Sequence, residues 1–246
     1  MVLTPEERGR VRSTAEAIES PGAAGTTAGS ARRPRARGGA VLDRRLAGRR
    51  VIDWLAHALA WLPVVLLLRE WLGGAYWINP IQELTQRSGL AALWLLTASL
   101  AVTPSITLLG WRRLGPLRRT LGLYAFAYAL THFLIFSVLD YGLDPALLRE
   151  AIFEKPFALV GLAALIGLAL LALTSTRGWM RRLGKRWKRL HRLVYAIGVL
   201  VVVHYAWATK ADLDPRPLAW GLLLALLLGL RWPPLRRRIS RQRPSR

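Results

Sequence analysis

Residues 191–206 read HRLVYAIGVLVVVHYA: an almost unbroken apolar run held between two histidines, His191 and His204. The run is long enough to help span a bilayer, and an imidazole buried in hydrocarbon is costly unless it bonds to something. Most of the fold follows from how this stretch is read against its neighbours.

Apolar stretches recur along the chain at approximately 51–68, 90–110, 120–139, 157–174, 191–208 and 217–232. A helix needs roughly 20 apolar residues to cross a hydrocarbon layer of ~30 Å, so these six stretches predict six transmembrane helices. The segments between them differ in charge. WRRLGPLRR at 111–119 has four Arg and no acid, 175–192 has eight basic residues and no acid, and 231–246 has seven Arg. Segments 69–89, 140–156 and 209–217 carry two basic residues each and hold acids as well. Basic residues collect on the cytosolic side of a membrane protein, so both termini are expected in the cytosol. The fold class is thus an all-α membrane protein, a six-transmembrane-helix bundle with short connections between antiparallel neighbours. The prolines at 104, 156, 215 and 217 are placed at or near span ends, and no internal repeat of the transporter kind is read.

Composition agrees with this assignment. The 246 residues are 53% hydrophobic with 11 Trp, and carry 36 Lys and Arg against 14 Asp and Glu, a net charge of +22. A nucleic-acid footprint would spread that charge over a soluble surface, whereas here it clusters between apolar spans. Cysteine is absent, which excludes disulfides, thiolate metal sites and iron–sulfur clusters. Residues 1–50 hold 11 Arg and few large apolar side chains and read as a disordered basic cytosolic tail. The pairs Arg44-Arg45 and Arg49-Arg50 resemble an export signal less than a cytosolic anchor, because no secreted domain follows. The domains are therefore 1–50, a tail; 51–232, the six-helix domain; and 233–246, a second basic tail.

Two of the four histidines stand at one depth. His132 lies 13 residues past Arg119 on the third span, and His204 lies 13 past the end of the basic loop on the fifth. At ~1.5 Å per residue both are roughly 20 Å from the cytosolic border. Two imidazoles on different helices at one level suit the opposite axial positions of a haem iron, with Ala125, Tyr128 and Ala129 on the face of His132. The alternative is that each imidazole bonds a nearby backbone carbonyl or hydroxyl. His191 lies at the cytosolic border, where the third span offers Arg118 or Arg119 and no histidine. On one continuous helix it would also point ~140° away from His204. His191 and Arg118 therefore suit a flavin or a quinone better than a second iron. His57 has Asp53 four residues earlier on its own face, an expected polar pair.

Three segments carry a family resemblance: INPIQELTQRSGLAALWLLTASLAVTP (78–104), RRTLGLYAFAYALTHFLIF (118–136) and LTSTRGWMRRLGKRWKRLHRLVYAIGVLVVVHYAWATK (173–210). They resemble the MsrQ (YedZ) family, haem-binding membrane subunits of periplasmic methionine sulfoxide reductase systems. That family stands among the ferric-reductase-like transmembrane domains, which carry two haems between helices three and five. Arg118 stands here where an inner helix-three histidine would fall. The resemblance implies a bacterial inner-membrane location, a haem b, an associated FMN, and a periplasmic molybdopterin partner, MsrP, that reduces the sulfoxide. It further implies electrons from the quinone pool or a cytosolic flavin reductase. No G-x-G-x-x-G is present, so pyridine-nucleotide electrons are expected to arrive through such a partner. The competing expectations are a stand-alone ferric or oxygen reductase and a proton or ion transporter using its membrane His and Asp residues.

Overall fold

Helices form over all six predicted apolar stretches, and five of them are long. The computed structural model describes residues 45–46, 49–74, 78–209 and 214–231, all within one unit spanning 41–246. Residues 1–44 and 47–48 of the expected disordered tail, and the whole of the tail 233–246, lie outside the described residues. Two short strands, β1 (Arg45–Leu46) and β2 (Arg49–Arg50), pair antiparallel just before the first helix. The helices are α1 (Val51–Leu72), α2 (Pro80–Leu109), α3 (Leu117–Leu134), α4 (Pro145–Phe153), α5 (Pro156–Leu173), α6 (Arg177–Leu183), α7 (Lys185–Leu190), α8 (Leu193–Ala208) and α9 (Arg216–Gly229).

Several ends follow from local chemistry. Asn79 caps α2 by accepting from the Gln82 N–H at 3.1 Å, with Pro80 in the first helical position, where its missing N–H costs nothing. Gly110 closes the same helix in the left-handed conformation, φ 72°, which a side chain would disfavour. Beyond α3 the chain continues as a π-helix, Ile135–Asp140. Asp144 caps α4 through the N–H groups of Ala146 and Leu147. At the start of α9 the Arg216 guanidinium grips Asp214 and holds its carboxyl below the usual carboxylate range.

Five helical segments are long and apolar enough to cross a membrane: 51–72, 80–109, 112–140, 156–173 and 185–208. The sixth expected span, α9, has 14 residues, about 21 Å at 1.5 Å per residue and short of the full hydrocarbon thickness. The connections are also less bare than expected. α4 fills 140–156, and α6 and α7 fill the basic segment before α8.

α3 packs chiefly on α2 and α8 chiefly on α5, while α1 lies against α2 and α3, and α9 against α8 and α2. Small residues pack between buried leucines: Ala60, Ala125 and Ala164 are fully or almost fully buried in a core shared with Leu95, Leu96, Leu121 and Leu168. Many large apolar side chains face outward, including Trp61, Leu68, Ile166 and Leu222. Lipid tails are as apolar as leucine, so helices in a bilayer associate by close packing of small residues.

Prolines 63 and 104 lie inside α1 and α2. Pro104 is thus not at a span end, since α2 continues five residues beyond it to Leu109. A proline removes the N–H that would bond the carbonyl four residues earlier. For Pro104 that carbonyl belongs to Leu100, and the Arg231 guanidinium donates to it from beyond the end of α9.

Candidate functional site

His132 on α3 and His204 on α8 come together in the bundle, with ring centres 6.1 Å apart and planes at 82°. Each ring is held from behind in the same way. His132 Nδ1 lies 2.7 Å from the Thr85 carbonyl on α2, and His204 Nδ1 lies 2.7 Å from the Phe157 carbonyl on α5. A carbonyl oxygen only accepts, so each Nδ1 carries the proton and donates it. In a neutral imidazole this leaves Nε2 bare, with its lone pair free to bind a metal. The carbonyl bond expected as the alternative to metal binding is therefore present, but it engages the nitrogen that a metal does not need.

Two glycines give the rings room. A Cβ on Gly89 would stand 2.9 Å from His132 Nδ1, and one on Gly161 would stand 2.7 Å from Nδ1 and Cε1 of His204. Each glycine follows its carbonyl partner by four residues, one turn along the same face. Thr85, Gly89 and His132 thus correspond to Phe157, Gly161 and His204, each 72 residues further on. The sequence held a signal for this, the pentapeptide GLAAL, at 89–93 and again at 161–165. The two carbonyl–glycine–histidine groups are thus spaced alike along the chain, a correspondence the sequence reading did not note.

The other expected site residues are distributed around this pair. Ala125 is fully buried in the core and Ala129 packs against it, while Tyr128 turns to α1 and donates to the Ala60 carbonyl at 2.7 Å. His57 finds a partner on another helix, the Tyr124 hydroxyl, 2.9 Å from its Nδ1; the expected pairing was with Asp53 on its own helix. Tyr124, Tyr128 and His132 follow at four-residue intervals along one face of α3.

His191 sits in a turn between α7 and α8, so the helical-wheel argument from His204 does not reach it. Its ring stacks on Trp187 with centres 3.9 Å apart. Its nitrogens contact the Trp187 carbonyl at 3.2 Å and the Ser175 hydroxyl at 3.3 Å. Arg119, rather than Arg118, reaches the same corner, donating to the Ser175 carbonyl at 2.8 Å. Arg118 is exposed, and among the described residues no hydrogen bond joins it to His191. Among the described residues no three His, Cys, Asp or Glu side chains converge on a metal position. A metal between His132 and His204 would need its remaining ligands from a cofactor.

Comparison with known proteins places these residues in context. Residues 57–202 match the family described as the ferric reductase like transmembrane component. The chain is 48% identical over 165 residues to the protein-methionine-sulfoxide reductase haem-binding subunit MsrQ of Bordetella pertussis, covering 65% of this chain and 80% of that one. It is 43% identical over 211 residues to the MsrQ of Rhodospirillum rubrum, covering 85% and 99%. The corresponding figures for the MsrQ of Xanthomonas euvesicatoria pv. vesicatoria are 42% over 198 residues, 78% and 90%. No solved structure matches the chain.

Proposed function

We propose, from the premise that this chain belongs to the ferric-reductase-like transmembrane family and within it to the MsrQ subunits, that it carries electrons across a bacterial inner membrane through a haem b held by His132 and His204. The haem, when bound, supplies one-electron carriage between the two sides of the membrane. The observation that carries the reading is the paired imidazole geometry. His132 and His204, with ring centres 6.1 Å apart and each Nδ1 engaged by a backbone carbonyl, would hold the haem iron through their Nε2 atoms.

The chain's own residues prepare this site before any iron arrives. Thr85 and Phe157 fix the tautomer and direction of each ring, and Gly89 and Gly161 let the rings seat against the neighbouring helices. Such carbonyl contacts raise the basicity of the ligating nitrogen and limit the freedom lost on binding. Both termini are cytosolic in this reading, and the histidine pair lies toward the periplasmic side. A cytosolic flavin reductase or the quinone pool donates, and a periplasmic molybdopterin sulfoxide reductase of the MsrP type accepts and repairs oxidised proteins. The names of the MsrQ relatives support the link to sulfoxide reduction. Catalysis of the sulfoxide step resides on the partner.

Electron entry is assigned to the cytosolic ends of α3 and α8, with a flavin such as FMN, or a quinone, contacted by His191 and Arg118. Support comes from the Trp187–His191 stack, its planes 28° apart, and from an exposed arginine, Arg118, at the same end of the helices. His191→Ala is expected to lower flavin content or slow haem reduction while haem is kept.

The test of the main reading is the visible spectrum of the purified protein. Wild type is expected to show a Soret band with low-spin character, His132→Ala and His204→Ala each lose it, and His57→Ala keeps it. Two single variants with normal low-spin haem would overturn the assignment.

A further inference from the structure

The segment 135–157 runs from the helix of one site histidine to the carbonyl partner of the other. It begins as the π-helix, three residues after His132. It ends at Phe157, whose carbonyl holds His204 at 2.7 Å and whose ring centre lies 6.2 Å from that imidazole. Between these points the chain is tied to itself. The Leu143 N–H donates to the Ser137 carbonyl at 2.8 Å, Lys155 Nζ donates to the Tyr141 hydroxyl at 3.0 Å, and Asp144 caps α4. α4 packs on α5, with Ala151 buried.

The outer side of this connection is built unlike a lipid-facing surface. Leu143 holds the left-handed conformation, φ 59°, which a bulky side chain rarely adopts, and is 57% exposed. Leu147 and Phe153 on α4 are 49% and 67% exposed. Around them stand four exposed carboxylates, Asp140, Asp144, Glu150 and Glu154, against two exposed bases, Arg149 and Lys155. Lys155 is engaged by Tyr141. Among the described residues Asp140, Glu150 and Glu154 make no ion pair. A helix that lies on a bilayer carries Lys and Arg on its polar face and is drawn to anionic headgroups. The polar side of α4 has the opposite sign, so its exposed apolar groups suit a protein surface rather than lipid. An apolar patch with a polar rim is also the usual anatomy of a protein interface.

We propose that the outer surface of 140–154, carried by Leu143, Leu147 and Phe153, is where the soluble electron acceptor docks, and that the acceptor meets it with an apolar patch rimmed by Lys and Arg. The proposal rests on the haem reading given above and locates the exit of electrons. An acceptor seated there stands over the segment that connects both imidazoles, and a carrier must come close to the haem to take its electron. Opposite charges across the interface steer the two proteins together and fix their register.

The test uses the full chain in phosphatidylcholine nanodiscs, with a purified MsrP-type reductase of the same organism as the probe, and reads the dissociation constant at low and high salt. Glu150→Lys/Glu154→Lys is expected to weaken binding roughly tenfold at low salt and less at high salt, where the charges are screened. Leu147→Ser/Phe153→Ser is expected to weaken it roughly tenfold at both. Each variant keeps its Soret band, because none touches a histidine or its partners. Should the serine pair lose that band through misfolding, the charge pair decides alone. The chain has no cysteine, so Phe153→Cys carrying an environment-sensitive dye reports what covers this position. A spectral shift on adding the reductase supports docking. Quenching by brominated lipid that the reductase leaves unchanged would make lipid the occupant and overturn the proposal. Wild-type affinity in both paired variants would overturn it as well, as would a wild type that shows its Soret band and does not bind the reductase. A wild type without a Soret band would count against the haem reading and leave the binding comparison to stand alone.

Discussion

At the scale of single residues, the site depends as much on what is missing as on what is present. Gly89 and Gly161 each give up about 1 kcal/mol of helix propensity relative to alanine, and each leaves the space a histidine ring fills. Gly161→Val is therefore expected to displace His204 and empty most of the haem from the purified protein, read as Soret absorbance per protein. Gly221→Ala, whose added Cβ would meet only Val202 Cγ1 at 3.7 Å, is expected to keep it. Arg231 supports a second residue-scale prediction. Removing its donor leaves the Leu100 carbonyl unpaired, at a cost of about 1–3 kcal/mol. Arg231→Gln should thus destabilise the wild type by about that amount, and the Pro104→Ala background by much less. Equal losses in both backgrounds, measured as a double-mutant cycle, would refute the coupling.

At the scale of elements, α1 is tied to α3 by side-chain hydrogen bonds. Tyr128 donates to the Ala60 carbonyl, beside a fully buried contact at Ala60, and the Tyr124 hydroxyl meets His57 one turn away. Pro63 loosens α1 at this level by leaving the Leu59 carbonyl without its helical donor. Interhelical bonds of this kind contribute about 1 kcal/mol in a bilayer. Tyr128→Phe should speed hydrogen exchange in α1 several-fold with the Soret band unchanged. A lost Soret band would instead show that α1 supports the histidine pair directly. The sequence did place both histidines at one depth, because helix rise is constant and each stands 13 residues beyond a basic border. It did not reveal their partners: carbonyls at 85 and 157 have no side-chain signature, and only the repeated GLAAL marks the helix faces that meet them.

At the scale of the whole molecule, the charge distribution makes a prediction independent of any cofactor. The chain has no cysteine, so single cysteines introduced at Leu143, Asp212 and Arg246 can be labelled against a clean background. The first two are expected to react with an impermeant maleimide from the periplasm and the third only after permeabilisation. A C-terminus accessible from outside would reverse the donor and acceptor sides together. Sequence by itself determined the helical class, the positions of the long apolar spans and the family. These rest on local quantities: apolar length, charge between spans and short runs of residues. The tertiary structure decided which nitrogen of each histidine stays free, that His57 turns to Tyr124, and that Arg231 answers the gap left by Pro104 from 127 residues away. Those are pairings between backbone and side-chain groups brought together by packing, and such groups carry no mark of their partners until the helices are side by side.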